Sequence, residues 1–349
     1  MITTERLSER LALIFRWYRG MVDSRTGLLE YEYLPETDSF APERSPIRDI
    51  ASIWDAAIVG GFVKRDDLRG TIERSLSTYG AYVVEHEGVL ILDPRKLGEP
   101  SSIAHSAFMM LALLHAPPPR DTTVIAALAD GIVRQQRPDG SYKVYFADIP
   151  DSGEELYAGE AMLALLEAFR ELGDPRLPES AARGVRYYDA EYFQSGRVTD
   201  DLLVFFANWQ SQAGRLLFEH APTPALGAHV ADFLFRMHDR VIASGFFDDV
   251  ARNPARQISV EVACALEGLG DAYAVAVASH APQVEPYGRA ICAGIAYLLE
   301  LQCTQDCAPR ETGGFGMSLG DRTQRIDVTG HAASAFIKSI ENGIRCPPG

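Results

Sequence analysis

Asp139-Gly140-Ser141-Tyr142 is a turn signal set between two stretches of helical periodicity, and the chain carries that arrangement six times. The other copies are Thr26-Gly27-Leu28-Leu29, Glu87-Gly88-Val89-Leu90, Ser195-Gly196-Arg197-Val198, Ser244-Gly245-Phe246-Phe247 and Gly313-Gly314-Phe315-Gly316. Successive key glycines stand about 50 to 70 residues apart, the period of one helical hairpin with its loops, and self-similarity at a fixed period marks an array. Glycine supplies the positive φ that ends a helix or turns a tight corner, and the apolar residues after it suit a short extended return. Six such units predict an all-α chain: an (α/α)6 toroid of six helical hairpins, with short extended segments in loops gathered at one end.

Outward from the turns, apolar residues at helical spacing predict twelve helices, near 4–22, 49–61, 66–83, 101–115, 121–136, 154–172, 178–191, 200–218, 225–242, 257–277, 284–302 and 326–342. Capping residues such as Asp49, Asp121 and Asp200 mark several starts. Pro117-Pro118-Pro119 and Pro222-Thr223-Pro224 separate neighbours, because proline cannot continue a helix interior. The glycine turns follow the odd-numbered helices, so all six loops share an end if outer and inner helices alternate. The even-numbered helices carry the small and apolar stretches, such as His105-Ser106-Ala107-Phe108 and His331-Ala332-Ala333-Ser334, and so read as the inner ring.

An array of this kind can run to 349 residues as one unit, and residues 1–349 are expected to form a single toroid domain. A hydrophobic fraction of 47% supplies a core, and a net charge of −15 argues against nucleic acid as a partner. Five cysteines, an odd number in a long chain, read as ordinary reduced thiols. Cys303 and Cys307 are four apart, but no second pair with ligand spacing accompanies them, so no metal is expected there. The start, Met1-Ile2-Thr3-Thr4-Glu5-Arg6, lacks a basic and apolar leader, and no run of eighteen apolar residues occurs. The expectation is a cytoplasmic protein without a membrane span.

Gln135-Gln136-Arg137-Pro138-Asp139-Gly140-Ser141-Tyr142 is similar to the glutamine-to-DGSW repeat of the terpenoid-cyclase and protein-prenyltransferase toroids. Gln302 through Gly313-Gly314-Phe315, followed by Arg325-Ile326-Asp327-Val328-Thr329-Gly330-His331, resembles their last repeat. In prenyltransferase β-subunits an Asp-x-x-His segment supplies a zinc-binding histidine. Here the spacing is Asp-x-x-x-His, with His331 the nearest match, and the partner Asp-x-Cys segment has no counterpart. Trp209-Gln210-Ser211-Gln212-Ala213 looks like the Trp-Trp-x-Gln-Ala-Glu segment of N-acylglucosamine 2-epimerase-type barrels. The resemblance to those barrels and to six-hairpin glycosidases and uronate lyases implies chemistry by His, Glu, Tyr and Arg on loops and inner-helix starts.

Asp327 and His331, four apart, share a helix face, so the carboxylate is expected to orient the imidazole as a general base requires. Arg325 stands ready to clamp a carboxylate or hydroxyl pair. His105 occupies the equivalent place on another inner helix. Glu261, between Val260 and Val262, is a charge on an apolar helix and needs a partner, with Arg252 or Arg256 proposed. Asp200 and Asp248 follow glycine turns at the expected mouth, Tyr157 opens the sixth helix, and Trp54, Trp209, Tyr142 and Phe247 are candidate cavity aromatics.

The expected function is acid–base chemistry on a sugar or uronate, by epimerisation, β-elimination or hydrolysis, with a small-molecule or oligosaccharide substrate and no organic cofactor. His331, Asp327, Glu261 and His105 would be catalytic, and Arg325 and Arg252 would anchor substrate. The alternatives are a terpenoid cyclase-like enzyme, which would need magnesium for a diphosphate substrate, and a non-catalytic binding toroid.

Overall fold

A computed structural model describes residues 2–347. In chain order its helices are α1 (Thr4–Gly20), α2 (Pro46–Phe62), α3 (Arg69–Gly80), α4 (Pro94–Leu97), α5 (Ile103–His115), α6 (Thr122–Arg134) and α7 (Glu154–Leu172). They continue as α8 (Arg176–Tyr187), α9 (Asp200–Glu219), α10 (Pro224–Ala243), α11 (Phe246–Arg252), α12 (Ser259–Ala278), α13 (Val284–Leu301) and α14 (Ile326–Glu341). All twelve expected helices are present within a few residues of their expected bounds. The short α4 and α11 are additions, and a π-helical turn, Tyr188–Gln194, prolongs α8.

Each of the six key glycines has a positive φ, from 75° at Gly27 to 104° at Gly313. At two of them backbone crowding excludes any side chain as well. A Cβ at Gly140 would lie 2.7 Å from the Arg183 carbonyl oxygen, and one at Gly313 would overlap the Leu13 carbonyl. The extended returns are seen as backbone bridges Val22↔Leu29, Gln136↔Tyr142 and Gln302↔Phe315, and as the hairpin of β3 (Val83–His86) with β4 (Val89–Leu92) around Gly88. Gly245 departs from the pattern: it is the N-cap of α11, so Phe246 and Phe247 open a helix instead of a strand.

The chain divides into two compact units, one of Glu73–Met237 and one built from the segments on either side of it. In the Glu73–Met237 unit, α7 packs between α5 and α9, with α6 against α5 and α7 and α8 against α7 and α9. The backbones of α7 and α9 approach so closely that a Cβ at Gly159 would stand 2.6 Å from Trp209 Cβ. Every residue from Ile103 to Ala112 of α5 is buried, whereas α8 buries a stripe (Leu177, Ser180, Ala181, Val185) and leaves its other face to water. That contrast is the inner and outer pattern expected from composition.

In the other unit α14 lies between α2 and α12, α1 packs on α2 and α14, and α13 packs on α12 and α14. Helix α12 is buried without interruption from Val262 to Ala272. Strands β1 (Glu32–Leu34), β2 (Ser39–Phe40), β5 (Gly316–Ser318) and β6 (Asp321–Arg325) form an antiparallel sheet in the order β2-β1-β6-β5, with Glu32 opposite Arg325. The sheet therefore delivers Arg325 to the first turn of α14.

The cysteines correct an expectation. Cys292 is bonded to Cys346 and Cys303 to Cys307, leaving Cys264 as the free, buried thiol. Spacing alone could not show that Cys292 on α13 meets a residue 54 positions later. No described helix is long and apolar enough to cross a membrane.

Candidate active site

Helix α14 begins with a charged knot. Asp327 accepts from Nε of Arg325 and from Nε of Arg48 on α2, each at 3.0 Å. Both guanidiniums also lie near the Tyr31 ring, 5.3 Å for Arg325 and 5.7 Å for Arg48. Burial alone would raise the Asp327 pKa; the Arg325 hydrogen bond and the charges of Arg325, Arg48 and His331 outweigh it and hold the group below the usual carboxylate range.

One helical turn on, the Nδ1–H of His331 donates to Oε2 of Glu267 on α12 at 2.7 Å. The glutamate is 2% exposed, and the imidazole keeps 17% of its surface open to solvent. Burial would raise the Glu267 pKa, yet the charges of Lys338 and His331 overcome it and bring the carboxyl down to about 2. Burial would lower the imidazole's pKa, but contacts with the Cys264 sulfur and the Glu267 carboxylate hold it well above its usual range. The Cys264 thiol is itself pushed up by burial and stays neutral near pH 7, so the ionic part of that support comes from Glu267. Lys338, two turns beyond His331, donates to Asp271 at 2.7 Å and stands 3.8 Å from Oε1 of Glu267.

The third inner helix of this unit brings Asp55. Its carboxylate rests directly on the backbone of Gly330, where any side chain would collide with it. A side chain next to His331 would force this acid to move, and glycine leaves it in place. The Asp55 pKa is pushed up to about 8: burial dominates, the charges of Glu267 and Asp327 add to it, and those of His331 and Lys338 offset part. Asp55 is thus shifted toward its neutral, protonated form, beside an imidazole shifted toward its charged form and held in place by a buried carboxylate. Such a pair can deliver a proton and stabilise the anion left behind.

No family model matches the sequence, and neither does any curated protein. Solved structures match along nearly the whole chain. Unsaturated glucuronyl hydrolase from Bacillus sp. GL1 shares 11% identity over 97% of each chain with a TM-score of 0.68. A D-mannose isomerase shares 11% over 97% of each chain with a TM-score of 0.69. Cellobiose 2-epimerase from Bacillus thermoamylovorans shares 12% over 97% of this chain and 99% of its own, with a TM-score of 0.63. The fold is the α/α toroid.

Within the toroid, three residues expected at the site, His331, Asp327 and Arg325, do lie together at the start of α14. Their roles differ from expectation. Glu267 is the carboxylate on His331, and Asp327 is engaged by the two arginines, because the first turn of α14 faces Arg48 on α2. Glu261 sits in the first turn of α12, partly exposed, and its charge adds to the burial that raises the pKa of nearby Tyr297. Arg252 is not its partner: it pairs with Asp248, both more than 70% exposed, as a surface i,i+4 pair. Trp54 is buried on α2 next to Asp55, and Phe247 is packed edge-on against Phe246.

The remaining candidates belong to the other unit. His105 completes the capping box of α5, bonded to Ser102 through Nδ1 and to Glu99 at 3.2 Å through Nε2. Tyr142 is sealed in the core with its hydroxyl on Ser180, so it does not contact substrate. Tyr157 packs on Gly153, Trp209 packs edge-on against Phe108, and Asp200 is an exposed acid in the first turn of α9. Sequence reading missed Asp55, Glu267, Lys338, Asp271 and Arg48 as site residues. One signal was available: Cys264, Glu267 and Asp271 form a polar stripe at i, i+3 and i+7 on an otherwise apolar helix.

Proposed function

We propose that this toroid is an acid–base enzyme acting on a carbohydrate, with Asp55 as proton donor and His331 as the charged group beside it. The Asp55 carboxyl seated on Gly330, next to an imidazole held by Glu267, carries this reading. Hydrolysis, isomerisation and epimerisation, the activities named for the matched structures, all require protons to be given to and taken from a sugar. Asp55 gives its proton to a sugar carbon or oxygen, and the His331 imidazolium stabilises the carboxylate that results. Once ionised, Asp55 takes a proton back from substrate or water and completes the cycle. The Tyr31 hydroxyl and the guanidiniums of Arg48 and Arg325 over its ring offer O–H and N–H donors for the sugar at the start of α14. Asp200 and Asp248, the acids an isoprenoid cyclase would draw on, are exposed and lack the shielding that such a donor needs.

The test is turnover of neutral aldoses, disaccharides and unsaturated uronyl disaccharides, followed by proton NMR in deuterated water. Replacing Asp55 by Asn should lower turnover by about 10²–10⁴-fold while leaving substrate-induced thermal stabilisation in place. Equal turnover by wild type and Asp55→Asn would overturn the assignment, and stabilisation by a sugar without turnover would select the binding toroid.

A further inference from the structure

The His331–Glu267 contact is continued by a second buried pair. Lys338 donates to Oδ2 of Asp271 at 2.7 Å, reaches the Glu267 backbone carbonyl at 3.4 Å, and lies 3.8 Å from Oε1 of the same residue. All four side chains are largely buried, with Lys338 13% exposed and Asp271 4%. The arrangement needs α14 to lie close over α12. Gly270 provides the room, since a Cβ there would stand 3.1 Å from Lys338 Cβ, and Asn342 ties down the Gly270 carbonyl at 2.8 Å.

A buried histidine and glutamate can hold one shared proton in two ways, as imidazolium and carboxylate or as two neutral groups. Low polarity favours the neutral form, because each isolated charge costs solvation. The groups facing the imidazole are Glu267 and Cys264 from α12, Asp55 from α2 and Asp327 from its own helix, while Tyr18 of α1 faces Asp55, Asp327 and Glu267. None of them is a cation. Arg48 and Arg325 are engaged by Asp327. Lys338 therefore supplies the second positive charge at Glu267, and Asp271 balances it.

We propose that Lys338 is a positioning residue for this site: clamped by Asp271, it takes one oxygen of Glu267, leaves the other to His331, and keeps the shared proton on the imidazole. For its consequence in turnover the inference rests on the acid–base reading above; its spectroscopic consequence does not. Nitrogen NMR of histidine-labelled protein, with His331 assigned by loss of its signals in His331→Gln, reports the proton's place directly. The expected result is an imidazolium at pH 7 in wild type and in Lys338→Arg. In the double variant Lys338→Met, Asp271→Asn, which leaves no unpaired buried charge, His331 should become neutral at the same pH. With a substrate identified, kcat of the double variant should fall at least tenfold with KM little changed. A neutral His331 in wild type overturns the proposal before any variant is made. A folded double variant that keeps its imidazolium overturns it too. A protein whose His331 responds as expected but turns over no sugar would instead sink the proposed function and leave this inference standing.

Discussion

Asp55 is an acid that folding makes weaker, and this has a measurable cost. Its unfolded pKa near 3.8 rises to about 8 in the folded chain. Between those values the folded state holds a proton that the unfolded state has released, so stability declines as pH rises from about 4 to 8 and then levels off. Asp55→Asn removes this slope. The variant should melt a few degrees above wild type at pH 8, with the difference closing toward pH 4, in thermal unfolding followed by circular dichroism. Glu267 behaves oppositely, since its pKa is depressed, and its contribution is lost only as pH falls from about 4.5 toward 2. A variant more stable yet less active is the signature of a site that stores unfavourable electrostatics for use in chemistry.

Among the elements, the glycine turns separate two costs that sequence treats alike. Gly313 and Gly245 both have positive φ, but a side chain at 313 would strike the Leu13 backbone and one at 245 meets nothing within 4 Å. Gly245→Ala should therefore cost roughly 1–2 kcal/mol, the left-handed penalty alone. Gly313→Ala should cost clearly more in denaturant unfolding, because the loop must also move away from α1. The turns and twelve helices were legible because local physics writes them: capping residues, prolines and apolar spacing act within a few positions. The site was legible only where it lies on one element, as with Arg325, Asp327 and His331 on the β6–α14 corner. Asp55 could not be found that way, since its meaning comes from Gly330 on another helix. Glu267 was not singled out while Glu261 was, although both are acids on the same apolar helix, because the choice depends on which face meets α14. The pairing of Arg252 with Asp248 was closer in sequence than the partner assumed for it, and local pairing prevailed.

For the molecule as a whole, two disulfides close loops of very different length, 54 and 4 residues apart in sequence. They are not equivalent. Closing 54 residues restricts the unfolded chain by about 4 kcal/mol, against about 2 kcal/mol for the four-residue Cys303–Cys307 loop. Dithiothreitol should lower the melting temperature, with Cys292→Ser reproducing about two-thirds of that loss and Cys303→Ser about one-third; equal losses would show that loop length is not what matters. The matched structures share 11 or 12% identity with this chain over 97% of its length, so the toroid tolerates replacement of nearly every side chain. The seat of Asp55 on Gly330 sets a limit to that freedom. A side chain gained at position 330 evicts the acid, and an acid lost at 55 removes the reason for a glycine at 330. Among descendants of this chain a side chain can enter position 330 only where the acid at 55 has moved aside or been lost, however far the rest drifts.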